Sequence, residues 1–179
     1  MACILISVTH LLGTGHLSRA LTLARAFAAA GHEAHVVSGG MPVPNLSIEG
    51  VTLHQISPVK SDGVNFTTLL TENGLADEPY LASRKQAGLN VLRHVAPDVL
   101  ITELYPFGRR VLKGEFLSFL NAVRDMTPKP LVFSSIRDIL APPSKPRKAL
   151  EAEAVLGGIT TVFWCIQRHK LRLWISVGP

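Results

Sequence analysis

The sequence predicts an α/β domain built on a Rossmann-like, doubly wound parallel sheet, and three observations predict it. Short, continuous apolar runs recur along the chain, as strands buried on both faces require. Between them lie stretches whose apolar residues fall at helical spacing. Glycines and prolines punctuate the joins, and strand–helix alternation of this kind closes into a parallel sheet.

The elements follow in order. Residues 2–8, Ala-Cys-Ile-Leu-Ile-Ser-Val, are the expected central strand. A helix over 17–30 places Leu17, Ala20, Leu21, Ala24, Phe27 and Ala28 on one face, and Gly31 stops it. Residues 33–38 form the second strand, after which Gly39 and Gly40 turn the chain. Residues 51–57 alternate in polarity, as a strand nearer an edge does. Residues 60–77 are polar and aperiodic, the pattern of a long binding or mobile loop. Pro79 suits the first turn of a helix that reaches about Val95, with Leu81, Leu92 and Val95 inward. Residues 98–102 are another buried strand. Residues 111–126 make an amphipathic helix through Val111, Leu112, Phe116, Leu120 and Val123, and 131–134 a fifth strand. Pro142, Pro143 and Pro146 mark a loop before a helix at 147–156.

With 47% apolar residues in 179, the chain has enough material for a core of its own, which excludes disorder. Cys3 and Cys165 are too few for a disulfide framework, and Cys3 reads as a small buried hydrophobe. No secretory signal opens the chain, and no apolar run approaches the roughly 20 residues of a membrane-spanning helix. A cytoplasmic protein is expected. The net charge of +5 admits a polyanion partner. However, the bases are scattered, without runs or interleaved aromatics. That argues against nucleic acid and leaves peripheral contact with the inner face of the membrane as the polyanion reading.

From Gly158 the pattern breaks. Trp164, Trp174 and Cys165 crowd among bases, and no turn chemistry follows. Back-translated and read one base earlier, residues 159–166 permit a polar turn leading into a buried strand. Residues 157–179 are therefore expected to be an aberrant tail from a one-base deletion near Gly157. A natural amphipathic or membrane-docking tail is the alternative.

In open parallel sheets, ligands bind beyond the carboxyl ends of the strands. Four turns qualify. The first is Thr9-His10-Leu11-Leu12-Gly13-Thr14-Gly15-His16: its glycines admit a ligand close to the backbone, and the helix that follows offers free N–H groups to a phosphate. His16 there either donates to a phosphate or sugar hydroxyl or is a helix-entry residue satisfied by backbone. Ser18 stands where a dinucleotide fingerprint needs its third glycine, and the second strand ends without an acid, so a redox cofactor is disfavoured. The second turn carries Glu103, Tyr105, Arg109 and Arg110, which suit sugar and phosphate contacts, or else Glu103 pairs with an arginine at a helix entry. In the third, Arg137 and Asp138 bind ligand or pair with each other. The fourth, residues 38–42, is structural, with backbone contact to a ligand in reach. The spacing of the remaining histidines makes no metal site, and there is no Walker loop or nucleophile elbow.

The first loop, together with Arg19-Ala20-Leu21 and Ala29-Ala30-Gly31-His32-Glu33, resembles the opening of two-domain GT-B glycosyltransferases, in particular the bacterial wall-precursor N-acetylglucosaminyltransferase group. Pro97-Asp98-Val99-Leu100-Ile101-Thr102-Glu103 and Tyr105-Pro106-Phe107-Gly108-Arg109-Arg110 are similar to predicted glycosyltransferase relatives of that group. The resemblance covers residues 2–156 and implies an acceptor-side N-terminal domain over 1–156. It implies no cofactor and no metal, with a nucleotide sugar, UDP-linked, as co-substrate and a sugar or lipid-linked acceptor. Gly13, Thr14, Gly15 and His16 would lie near the donor diphosphate and acceptor, with His16 and Asp138 as catalytic candidates. Glu103, Tyr105, Arg109 and Arg137 would contact substrate. The C-terminal donor-binding domain is absent from the sequence, so a fragment inactive by itself is expected. A stand-alone acceptor subunit that recruits a separate donor-binding chain and a nucleotide-sugar epimerase-like protein are the alternatives.

Overall fold

The structure is a computed structural model. It describes residues 1–64, 67–136, 146–157, 161–167 and 170–175, with backbone alone for Pro146 and for the last two segments. One sheet dominates it. The strands are β1 (Cys3–Val8), β2 (Glu33–Ser38), β3 (Val51–Gln55), β4 (Leu70–Thr71), β5 (Gly74–Leu75), β6 (Val99–Glu103), β7 (Leu131–Ile136), β8 (Thr161–Gln167) and β9 (Lys170–Ile175). The helices are α1 (Gly15–Ala29), α2 (Glu78–Val95), α3 (Lys113–Arg124), which a 3₁₀ turn at Arg110–Leu112 precedes, and α4 (Pro146–Gly157).

The main sheet runs β3-β2-β1-β6-β7-β8-β9. Neighbours pair in parallel from β3 to β8, and β9 returns antiparallel to β8. The doubly wound expectation holds. β2 and β3 lie on one side of β1, and β6 and β7 on the other. The winding therefore reverses between β1 and β6, which opens a crevice at the carboxyl ends of these strands.

Alternation along β1 explains why both faces are covered. Ile4, Ile6 and Val8 pack with Leu17, Ala20, Leu21 and Ala24 of α1. Leu5 points to the other face, into a cluster with Leu92 of α2 and Phe116, Phe119, Leu120 and Val123 of α3. Each such fully buried Leu, Ile, Val or Phe contributes about 1.5–3 kcal/mol. The stop expected after α1 is Gly31, which takes a φ of +84° that other residues resist.

One region differs from the sequence reading. The polar stretch 60–77 is not structureless: β4 and β5 form a small antiparallel hairpin, and Lys60 bridges to Leu70. Val59 and Leu69, just before the Lys60 bridge and the hairpin, are buried in the core and anchor them. Within the stretch 157–179, the backbone of β8 continues the sheet parallel to β7, and β9 follows it antiparallel. No helix among the described residues is long and apolar enough to cross a membrane.

Candidate functional site

The crevice is built from the loops that leave β1 and β6 and from the start of α1. Val8 leads into buried Thr9 and His10. Gly13 turns the chain at φ +55°, with open space where a Cβ would stand. Thr14 caps α1 without a side-chain bond, and the first turn of α1 contains no acid. The N–H groups there are thus left to solvent or to an anion.

His16 in that turn meets the end of β6. Its Nδ1 lies 3.0 Å from Oε1 of Glu103, whose side chain is 2% exposed while the imidazole is 28% exposed. Arg19, one turn further along α1, donates from Nη2 to Glu103 Oε2 at 3.3 Å and to Ser135 Oγ at 2.6 Å. A carboxylate so deeply buried needs such partners, because burial of an unpaired charge is costly. Parallel pairing sets Glu103 beside Ser135 in register, so one arginine reaches both. Glu103 does pair with an arginine, but with Arg19 of α1 rather than its neighbours in the loop. The partner of His16 is likewise a side chain, not backbone.

The loop after β6 folds over the crevice. Leu104 and Arg109 both take positive φ, +69° and +58°, conformations that L-residues adopt only when surroundings enforce them. The enforcement is visible. Thr102 Oγ1 and Ser134 Oγ both donate to the Tyr105 carbonyl, at 2.9 and 2.6 Å. Arg109 Nε donates to the Thr9 carbonyl at 2.6 Å and joins this loop to the one after β1. Burial pushes the Arg109 pKa down, and the Glu103 carboxylate works against that shift. Beside the loop opens a hollow of about 540 Å³, lined by Leu11, Thr67, Arg109, Arg110, Val111 and Lys148.

Of the predicted site residues, Gly13, Thr14, Gly15, His16, Glu103 and Arg109 converge on this edge. Tyr105 stands apart from them. Its ring is 2% exposed and stacks on Phe116, with centroids 4.7 Å apart and planes 5° from parallel. An aromatic in an apolar pocket contributes more there than at the surface, so the ring packs as part of the core. Arg137 and Asp138 lie outside the described residues.

Sequence reasoning missed two residues behind the crevice. Arg84 of α2 is fully buried and donates to both oxygens of Glu115 at 2.7 and 3.0 Å, to Gly39 O at 2.6 Å, to Thr9 Oγ1 at 2.9 Å and to Ser57 O. It ties the loops after β1, β2 and β3 to α3. The signal was its position, since it shares a helical face with Leu81, Gly88 and Leu92. Gly39 must be glycine, because a Cβ there would run into the Arg84 guanidinium. His10 is the second. Its Nδ1 is buried without a hydrogen-bond partner among the described residues. Burial lowers its pKa, against a backbone bond with Met41, and the charges of Arg109 and His16 lower it further.

At the opposite, amino end of the strands, donor atoms of Cys3, Glu33 and His35 lie within 4.8 Å of one another, a grouping that linear spacing of the histidines did not suggest. His35 already bonds on both sides, Nε2 with Glu33 Oε1 at 2.9 Å and Nδ1 with His54 Nε2 at 3.0 Å.

No protein-family model and no curated protein matches the chain. Solved structures do. They include apo UGT2 of Phytolacca americana, at 15% identity over 75% of this chain and 29% of that one, with a TM-score of 0.44. The glycosyltransferase VinC in complex with dTDP is 15% identical over 86% of this chain and 38% of its own, at 0.45. CalG4, the calicheamicin glycosyltransferase, is 15% identical over 86% and 37%, at 0.48. The chain spans 29% to 38% of the length of these three structures. A likeness of that size is one of chain course and assigns no activity.

Proposed function

We propose that this chain is the acceptor-side domain of a glycosyltransferase, in which His16 is the general base. The observation that carries the reading is the bond between His16 Nδ1 and the buried Glu103 carboxylate, 3.0 Å long, at the mouth of a glycine-bearing loop. With Nδ1–H donated to Glu103, the lone pair of Nε2 is free to accept a proton. An acceptor hydroxyl placed at Nε2 would give up its proton to the imidazole as its oxygen attacks the anomeric carbon of the donor sugar. The bond from that carbon to the nucleotide's phosphate oxygen breaks, and the diphosphate leaves with the electron pair. Glu103 stabilises the imidazolium that forms, and Arg19 holds the Glu103 carboxylate aimed at it. The free N–H groups at the start of α1 suit the departing diphosphate. The sequence resemblance points to a UDP-sugar as donor. The donor-binding half would come from chain beyond these residues or from a separate polypeptide.

The test is transfer of labelled sugar from UDP-sugars, by the chain alone and by the chain mixed with a separately supplied donor-binding domain. His16→Ala should lower transfer by about 10²–10⁴-fold, the usual worth of a general base. Glu103→Gln should lower it less, because the imidazole stays in place. No transfer in either mixture, or transfer that survives His16→Ala, removes the reading.

A further inference from the structure

The hollow beside the loop after β6 has a chemistry of its own. Arg109, Arg110 and Lys148 line it, and among its described lining residues there is no carboxylate. Arg109 is fixed on the wall by its bond to Thr9 O. Arg110 makes no hydrogen bond or ion pair among the described residues. Leu11 and Val111 supply an apolar side. At about 540 Å³ the hollow is within the range of small-molecule sites.

We infer that this hollow seats a phosphate group carried by the acceptor, with Arg109, Arg110 and Lys148 as the specificity-determining residues; the inference rests on the transferase reading above. Guanidinium groups bind phosphate and carboxylate through paired N–H donors. A carboxylate brings a single charge. A phosphate monoester brings about −1.5 to −2 at neutral pH and three acceptor oxygens, the closer match to several cations around one space. Leu11 and Val111 then cover the carbon body next to the phosphate. The position fits the reaction, because Arg109 bonds the same loop that delivers His16 and feels the charge of Glu103.

The test titrates the full chain with inorganic pyrophosphate at constant ionic strength, by calorimetry, in the native protein and in R110Q, K148Q and R93Q. Arg93 lies exposed on α2, so R93Q removes the same charge away from the hollow. A saturable site should weaken by about tenfold or more in R110Q and K148Q, the loss expected for a hydrogen bond to a charged group. R93Q should change it by less than about twofold, as for an exposed surface charge. No saturable binding, or an equal loss in R93Q, overturns the inference, since diffuse attraction to a basic protein would behave that way. UDP is the second probe. If it binds about tenfold more tightly than pyrophosphate and loses that binding in R110Q, the hollow belongs to the donor and the acceptor assignment falls. Pyrophosphate needs no proton transfer, so binding that persists in His16→Ala separates a failure of this site from a failure of the transferase reading.

Discussion

Arg84 shows how a single residue can organise a site that it does not enter. It is 0% exposed and donates to five acceptors on four segments. A buried ion pair adds little stability over an apolar pair of the same shape, but half of one is costly, because the remaining charge keeps no partner. Glu115→Gln should therefore lower stability by about 3–5 kcal/mol in urea unfolding. The double variant Arg84→Met/Glu115→Leu should lose less than the sum of the two single changes. A loss below about 1 kcal/mol for Glu115→Gln would mean that the pair is hydrated rather than enclosed. His10 makes a prediction of a different kind. Burial holds its native pKa below the ordinary 6.5, and His54 is lowered for the same first reason. Protonation then favours the unfolded chain. The stability is complete above the unfolded value of 6.5 and is lost as pH falls below it toward the depressed native values. Urea midpoints should drop between about pH 7.5 and 5.5, and His10→Asn should flatten that slope. An unchanged slope in His10→Asn would show that His10 titrates alike in the folded and the unfolded chain.

At the scale of elements, a glycine sets how closely the two helices of one layer approach. Helix α2 begins as the sequence suggests: Asp77 accepts from Tyr80 N at 2.9 Å, and Pro79 follows in the first turn. Its inner face was only half legible. Leu81 and Leu92 announce the face, whereas Arg84 and Gly88 each look like a surface residue until the helix is drawn with its neighbours. Gly88 lets α2 lie against α3: a Cβ there would meet Phe119 Cζ at 2.7 Å and Cε2 at 2.9 Å. Phe119 is 1% exposed and has no room to retreat. Alanine is favoured over glycine in a helix by about 1 kcal/mol, yet overpacking a closed contact costs about 1–3 kcal/mol. Gly88→Ala should thus destabilise the domain on balance, and Phe119→Leu in the same chain should restore part of the loss. A Gly88→Ala protein more stable than the native one would show that α2 and α3 are packed less tightly than the geometry requires. The hairpin β4–β5 escaped the sequence for the opposite reason. With strands of two residues each, it has no period to detect, and its place is fixed by the burial of Val59 and Leu69.

At the scale of the molecule, what the sequence carried was local, and what it concealed was long-range. The limits of β2, the stop at Gly31 and the inward face of α1 follow from neighbouring residues alone. The candidate base does not. His16 and Glu103 are 87 positions apart, and only the parallel pairing of β1 with β6 puts the end of one strand beside the loop leaving the other. The site therefore depends on the sheet's centre. β1 is paired on both sides, and Leu5, Ile6 and Leu100 are 0% exposed. β3 pairs with β2 alone, and Thr52 and Gln55 on it are exposed. Amides of β1 and β6 can exchange with solvent only when the domain unfolds as a whole, whereas an edge strand opens locally at lower cost. Native-state hydrogen exchange should find β1 and β6 slowest, with β3 and the β4–β5 hairpin faster by about 10²-fold or more. Leu5→Ala, which empties a closed position shared by both helices of one layer, should cost about 2–5 kcal/mol and speed the slowest amides together. If β1 instead exchanged as fast as β3, the centre would open on its own. The His16–Glu103 contact would then be transient, and a base that depends on a fixed carboxylate could not be assembled there.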